Sequence, residues 1–211
     1  MRYEEYVNIQ LGKLKEGAII READMPDIDL YIDQVESFFE KQAGRTDSET
    51  AKKFLTKSMI NNYAKHDMIP RPEGKKYSRD HMLMIAMVAY LKGTLRMEKI
   101  EYLMKPLVEN YNSDFDESID PSVIYEAACR FNQDYAQRMA EDTDSGISEI
   151  KRLFSREDDD DERMEVFTLI LSLTMRADMD RYLAERLIEE YFINPENEKP
   201  EKVKKQKKQS I

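Results

Sequence analysis

The chain has 211 residues, of which 36% are charged and 41% hydrophobic, and its formal net charge at pH 7 is −10. This length allows one large domain or two small ones. The longest apolar run, residues 82–91, is about half of the ~20 residues that span a bilayer, and the N-terminus shows no signal-peptide pattern. A single cysteine excludes an internal disulfide, so we expect a cytoplasmic protein without membrane spans.

Turn-forming residues are few, with 6 glycines and 7 prolines, and no segment sustains strand-like alternation. The sequence therefore predicts an all-α protein. A first helix covers residues 2–15 and ends at Gly17. A connector, residues 18–28, leads to Asp29, which is expected to cap a helix over residues 30–42. Residues 45–53 are a longer connection that can hold one extra helical turn.

Residues 56–66 are predicted to form a two-faced helix. Thr56 is a good N-cap residue, and Ile60 and Tyr63 give the buried face. Asp67 can take the left-handed conformation that ends the helix, and the prolines that follow prevent its continuation. The opposite face carries side chains that can read base edges, above all the asparagines, whose amides can pair with adenine: Ser58, Asn61, Asn62 and Lys65.

The segment 71–77, called the wing here, follows this helix. Gly74 permits a tight turn, and Arg71, Lys75 and Lys76 can contact phosphates. Residues 51–105 contain 12 basic and 5 acidic residues, a local charge of +7, whereas the rest of the chain carries −17. Such segregation favours approach of a nucleic acid to this segment alone.

After the wing, residues 78–92 are almost wholly apolar past His81, so they are predicted to form the central buried helix, with His81 in a structural role. A short amphipathic helix, residues 97–104, is expected to end near Lys105 because Pro106 cannot donate to the helix. Residues 112–121 are polar and acidic, and we take them as the domain boundary.

Three or four helices are predicted beyond this boundary. Residues 122–140 and 147–154 are separated by Ser145-Gly146, and residues 164–192 form a broad apolar stretch with a kink or junction at Asp178. Cys129 is expected to be a buried small side chain rather than a nucleophile. The predicted domains are therefore residues 1–111, which bind DNA, residues 121–193, which dimerise or sense, and a disordered basic tail, residues 194–211.

The blocks LTKSMINNYAKHDMI, IPRP, KKYSRDHM and LRMEKIEYLM stand in an order that resembles the winged helix-turn-helix of MerR-type regulators. The closer resemblance is to a Gram-positive bacterial family, domain of unknown function 1836, over residues 24–105. It implies a MerR-like winged helix-turn-helix with a small wing and sequence-specific DNA binding. The helices predicted beyond residue 121 add a C-terminal helical bundle. The chain departs from MerR-type proteins at Asn61-Asn62, where those proteins carry an Arg-Tyr pair.

No catalytic, phosphate-binding or metal-binding motif is found, so we expect neither an enzyme nor a cofactor. Our interpretation is a transcriptional regulator that binds double-stranded DNA at the seven residues named above. The alternative is a helical adaptor whose basic patch binds an acidic protein. Because Pro106 interrupts the usual dimerising helix, a homodimer is expected to form through the C-terminal helices, around Phe131 and from Met164 to Phe192. Whether a small-molecule effector exists, and which one, is left open by the sequence.

Overall fold

The computed structural model describes residues 2–17, 19–43, 55–112, 120–154 and 162–194. Within these ranges the chain is mostly helical, with one two-stranded sheet, and the all-α class is confirmed. The elements in chain order are α1 (Tyr3–Gly17), a 3-10 turn (Glu22–Asp24), β1 (Leu30–Tyr31), α2 (Ile32–Ala43), α3 (Lys57–Lys65), β2 (Lys76–Tyr77), α4 (Arg79–Leu91), α5 (Met97–Tyr111), α6 (Pro121–Phe154) and α7 (Glu162–Ile188), which continues into a π-helical turn (Glu189–Ile193).

Helix α4 is the centre of the fold, as the sequence predicts. Residues 81–86 are all buried, so this helix has no face toward solvent over nearly two turns. Helix α3, strand β2 and helix α6 pack against it, and α5 adds Ile100 and Met104 to the same core. None of the described helices is both long enough and apolar enough to cross a membrane.

The backbone of Ile20 ties the connector before α2 to both α4 and α6. Its N–H donates to Tyr90 Oη at 2.9 Å, and its carbonyl accepts from Tyr125 Oη at 2.7 Å and from Cys129 Sγ at 3.8 Å. The predicted burial of Cys129 is confirmed. The start of α6 therefore belongs to the main core, together with Ile188 from the end of α7.

The prediction that a helix begins at Leu30 is wrong by two residues. Leu30 and Tyr31 form β1, which pairs antiparallel with Tyr77 and Lys76 of β2. The helix starts at Ile32 because the backbone groups just before it are used in this pairing, and Gln34 Oε1 accepts the Tyr31 N–H at 2.9 Å. A partner more than 40 positions away in the sequence thus overrides the local capping signal of Asp29.

The prediction that a helix ends near Lys105 is also wrong. Helix α5 continues through Pro106 to Tyr111. A proline inside a helix costs about 3 kcal/mol. The residues after it are buried, Leu107 at 8% and Val108 at 7% exposure, and each can contribute about 1.5–3 kcal/mol. Their burial offsets the cost of the proline.

Two further breaks predicted in the C-terminal half are absent from the helices that the structure describes. Helix α6 runs uninterrupted through Ser145-Gly146, where one helical glycine costs only about 1 kcal/mol and Ile147 and Ile150 are buried just beyond. Helix α7 likewise passes through Asp178, whose carboxylate pairs with Arg181 one turn later. The two helices pack as a hairpin.

A second, smaller core lies where α1 packs on α6 and α7. It contains Ile147, Ile150 and Leu169, and Tyr3 donates its hydroxyl to buried Glu165 at 2.8 Å. Burial and this neighbouring carboxylate raise the pKa of Tyr3.

The predicted domain division stays a prediction. The extra turn within residues 45–53, most of the linker, the acidic run 158–161 and the tail past Asn194 lie outside the described residues.

Of two buried tyrosine hydroxyls, one has a hydrogen-bond partner and the other has none among the described residues. Tyr63 Oη finds no hydrogen-bond partner among the described residues, and burial raises its pKa to about 12. We expect Tyr63→Phe to leave the free energy of unfolding unchanged or raise it by about 1 kcal/mol, because an unpaired buried hydroxyl is costly.

Tyr125→Phe is the matched comparison, since it removes the hydroxyl that donates to Ile20. It should lower the free energy of unfolding by about 1–2 kcal/mol. Urea denaturation followed by circular dichroism measures both. Equal losses for the two variants would contradict this assignment of partners.

Candidate nucleic-acid interface

Helix α3 presents one polar face to solvent. Its buried side chains are Ile60 and Tyr63, at 0% and 2% exposure, as predicted. The candidate side chains on the other face are all exposed, and their spacing of three and four residues places them along one stripe: Ser58, Asn61, Asn62 and Lys65. Amide and hydroxyl groups on such a stripe can meet a polar partner without loss of core packing.

Both ends of α3 are fixed by specific contacts. At its start the Thr56 Oγ1 accepts the Met59 N–H at 3.3 Å, and the Glu36 carboxylate of α2 accepts the Lys57 N–H at 3.1 Å. At its end Asp67 takes a positive φ of 51°, the left-handed conformation predicted for it. The exposed stripe therefore has a defined length and direction relative to α2.

The wing is a tight turn attached to the sheet. Gly74 and Lys75 have φ of 55° and 67°, which confirms the turn predicted at Gly74, and Glu73 pairs with Lys76 as an isolated bridge. Arg71, Lys75 and Lys76 are all exposed. Lys76 lies over the ring of Tyr31 with Nζ 5.6 Å from its centroid, so β1 supports this cation.

One continuous segment, residues 30–43, positions both halves of the surface. Its strand β1 pairs with β2 at the base of the wing, and its helix α2 bonds the first turn of α3 through Glu36. The stripe on α3 and the cations of the wing are therefore held by the same element. We call the seven exposed residues on these two parts the α3–wing surface.

His81 fastens the wing to the core. Its Nδ1 accepts the Ser78 N–H at 3.2 Å, so the neutral ring carries its proton on Nε2, which lies 3.4 Å from the Arg71 carbonyl. The ring packs edge-on against Tyr77 and Tyr111. Burial lowers the pKa of His81, which keeps the ring neutral in this arrangement. The predicted structural role is confirmed.

The positive charge counted along the sequence is partly used inside the fold. Lys57 pairs with Asp33 and Glu36, and Lys99 pairs with Glu185 at 3.1 Å and Glu189 at 2.9 Å. Arg79 likewise forms ion pairs with Glu22 and Asp27. The cations of the α3–wing surface make no ion pair with any described residue, so they set its charge: Lys65, Arg71, Lys75 and Lys76.

The second histidine, His66, pairs with a carboxylate of α5. His66, at the end of α3, lies with Nδ1 3.1 Å from a Glu101 carboxylate oxygen of α5, which holds it beside the core helix. In the described part of the chain, no three His, Cys, Asp or Glu side chains are placed to hold a metal ion.

Comparison with known proteins assigns the chain to a family. A family described as Domain of unknown function (DUF1836) matches residues 20–128, more than half of the chain. The chain belongs to the DUF1836 family. The predicted resemblance to this family is confirmed, and the match extends beyond residues 24–105 at both ends. No curated protein and no solved structure matches the chain.

The limits of the DUF1836 match correspond to a contact in the fold. It starts at Ile20, whose backbone is bonded by Tyr90 and Tyr125, and it ends three residues after Tyr125. The first two turns of α6 are therefore part of the family's unit, because without Tyr125 the Ile20 carbonyl would lose its strongest partner. The sequence predicts these turns at the start of a second domain, and that division stays a prediction.

Three supporting contacts could not be predicted from the sequence. They join Tyr31 to Lys76, Glu36 to Lys57, and His81 to the Arg71 carbonyl. Only His81 had a local signal: Ser78 and His81 have the spacing of a capping box, with His in the place of Glu or Gln. The other two depend on chain segments that meet only in the fold.

The neutral state of His81 predicts a pH dependence of stability. Its folded pKa lies below the ordinary value of 6.5, so the unfolded chain binds the proton more readily. This contribution to stability is complete above pH ~6.5 and decreases as the pH falls below it. The urea midpoint should therefore drop between pH 7.5 and pH 5.5, and His81→Gln, which retains a capping-box residue but cannot titrate, should show a smaller drop.

His66→Gln is the matched control, because it removes the exposed histidine. Its urea midpoint should drop between pH 7.5 and pH 5.5 by as much as that of the unmodified chain. If His66→Gln and His81→Gln lose the same part of the drop, the assignment to His81 fails.

Proposed function

We propose that this DUF1836 protein is a sequence-specific DNA-binding transcriptional regulator. In this proposal α2, α3 and the wing form a MerR-like winged helix-turn-helix. The observation that carries it is the α3–wing surface: a stripe of exposed amide and hydroxyl groups beside exposed cations, both held by residues 30–43. Fixed geometry between a reading helix and phosphate contacts is what specific recognition requires.

Helix α3 supplies the reading groups in this proposal. Asn61 and Asn62 are exposed on successive positions, so one helix can present two amides to neighbouring base pairs in the major groove. Ser58 lies one turn before them and Lys65 one turn after. The core side of the helix is anchored by Ile60 and Tyr63, so insertion needs no rearrangement of the fold.

The wing supplies the phosphate contacts. Lys75 stands at the tip of its turn with a positive φ, and the Arg71 backbone is bound by His81. These cations are attached to rigid backbone, which lowers the entropy lost when they bind phosphates. Exposed cations on a rigid turn add affinity that does not depend on sequence.

We further propose that the protein acts as a homodimer through its C-terminal helices. Helix α7 carries an apolar stripe at helical spacing, and each member is at least half exposed: Phe167 62%, Leu171 50%, Met175 58%, Met179 61% and Tyr182 62%. On α6, Phe131 is 66% exposed. An exposed stripe of this length is unusual on a monomer and fits a self-complementary contact between two copies.

A helical adaptor that binds an acidic protein is the alternative. The same cations favour it, since a carboxylate surface and a phosphate backbone attract them alike. The two functions differ in whether Asn61 and Asn62 discriminate between DNA sequences, which only the regulator requires.

The regulator predicts separate effects for the two parts of the surface. On a preferred site selected from random DNA fragments, Asn61→Ala or Asn62→Ala should lose about 1–3 kcal/mol of binding free energy, with little change on random DNA. Lys75→Asn keeps a residue that tolerates positive φ. It should weaken the affinity for both DNAs equally. It should also reduce the slope of log affinity against log salt concentration by about 1.

Arg152→Gln is the control, because Arg152 is an exposed cation on α6 outside the α3–wing surface. It should leave both affinities unchanged. Fluorescence anisotropy between 50 and 300 mM salt measures all four variants. Equal effects of the asparagine and lysine variants on both DNAs would instead support the adaptor.

The homodimer predicts that charge on the α7 stripe separates the two copies. Met175→Glu should convert the dimer to a monomer at micromolar concentration, because a carboxylate would be buried without a partner in the interface. Ala177→Glu is the control on an exposed position of the same helix, away from the stripe. It should remain dimeric in light scattering. A dimer in both variants, or a monomeric unmodified chain, would exclude this interface.

A further inference from the structure

An apolar cavity of about 580 Å³ lies where α4 and α5 meet the beginning of α6 and the π-helical turn after α7. Its walls include Met87 of α4, Leu103 and Leu107 of α5, and Ile124 and Ala128 of α6, while Phe192 closes one side. This volume falls within the ~300–1,000 Å³ of small-molecule sites. Ile124, Ala128 and Phe192 in its wall are exposed, so the cavity opens to solvent and an apolar molecule can enter it.

The polar groups in the wall are already engaged within the protein. The Tyr90 and Tyr125 hydroxyls and the Cys129 thiol are all bonded to the backbone of Ile20. The Asn132 amide donates to the Ala128 carbonyl at 2.8 Å. Among the described residues, the wall contains no Asp, Glu, Lys, Arg or His side chain. An ion in this cavity would lose its hydration without gaining a partner, so the wall favours a neutral, apolar molecule.

Two costly backbone features meet at the same cavity. Pro106, which interrupts the hydrogen bonding of α5, is part of the wall. On the other side the α-helical course of α7 changes to a π-helical turn, and this turn carries Phe192. Segments of π-helix recur at binding sites because they redirect side chains. Lys99 fixes this turn to α5 through Glu189.

We propose that this cavity binds a neutral, apolar small molecule about the size of two or three fused or linked rings, or an aliphatic chain of similar volume. The site lies apart from the α3–wing surface and requires no DNA. Its occupant would contact the core helices α4 and α5 together with both C-terminal helices. The proposal therefore extends beyond DNA recognition and can fail or succeed independently of it.

The test uses a neutral dye that fluoresces in apolar surroundings, N-phenyl-1-naphthylamine, titrated into the full chain. We expect saturable binding of one dye per chain and a blue-shifted emission. The dye 1-anilinonaphthalene-8-sulfonate has the same aromatic frame with an added sulfonate. It should bind at least tenfold more weakly at this site, because its charge finds no partner in the wall.

Ala128→Trp places a large side chain in the wall from an exposed helical position and should reduce affinity for the neutral dye at least tenfold. Ala127→Trp, at the neighbouring exposed position outside the wall, is the matched control and should bind as the unmodified chain does. The control also reports dye bound to the apolar stripe of α7, which neither substitution changes. Leu103→Trp fills the cavity from α5 and replaces Ala128→Trp if that variant fails to fold.

Three results would overturn the proposal. The first is the absence of saturable binding of the neutral dye. The second is equal affinity of the neutral and the sulfonated dye. The third is undiminished binding by folded cavity-filling variants, which would place the dye elsewhere on the protein.

Discussion

A helix that is buried on every side has to be covered on every side, and α4 imposes this requirement on the chain. Residues 81–86 contribute no exposed surface, so β2, α3, α5 and α6 are all needed around them. The α3–wing surface is consequently the outer side of a layer whose inner side is core. The bonds of Ile20 to Tyr90 and Tyr125 extend the same constraint to α6, which explains why the family's unit continues past α5.

The features that could be predicted from the sequence are those fixed within one turn of the chain. Thr56 caps α3 with its own hydroxyl, Asp67 takes the left-handed conformation beside the helix it ends, and Gly74 turns the wing. The two faces of α3 follow from its spacing alone. The seven residues of the candidate surface were thus found exposed where the pattern placed them, whereas their partner remains a proposal.

The errors arose where packing between distant segments decides the outcome. Pro106 and Gly146 are genuine local penalties, but each is followed by side chains whose burial contributes as much or more. Leu30 becomes strand only because Tyr77 lies beside it. The cavity is the extreme case, since four helices form its walls and no single segment carries a signal of it.

Internal ion pairs use part of the positive charge of residues 51–105. Lys57, Arg79 and Lys99 join elements by pairing with acidic residues from outside the basic segment, so these three charges are used inside the fold. The four cations of the α3–wing surface, which make no ion pair with a described residue, are few for binding one nucleic acid at physiological salt, because affinity rises with each phosphate contact. Two copies would double this number. The two proposals are therefore linked: in the proposed regulator, a homodimer through the exposed stripe of α7 would present two such patches to one nucleic acid.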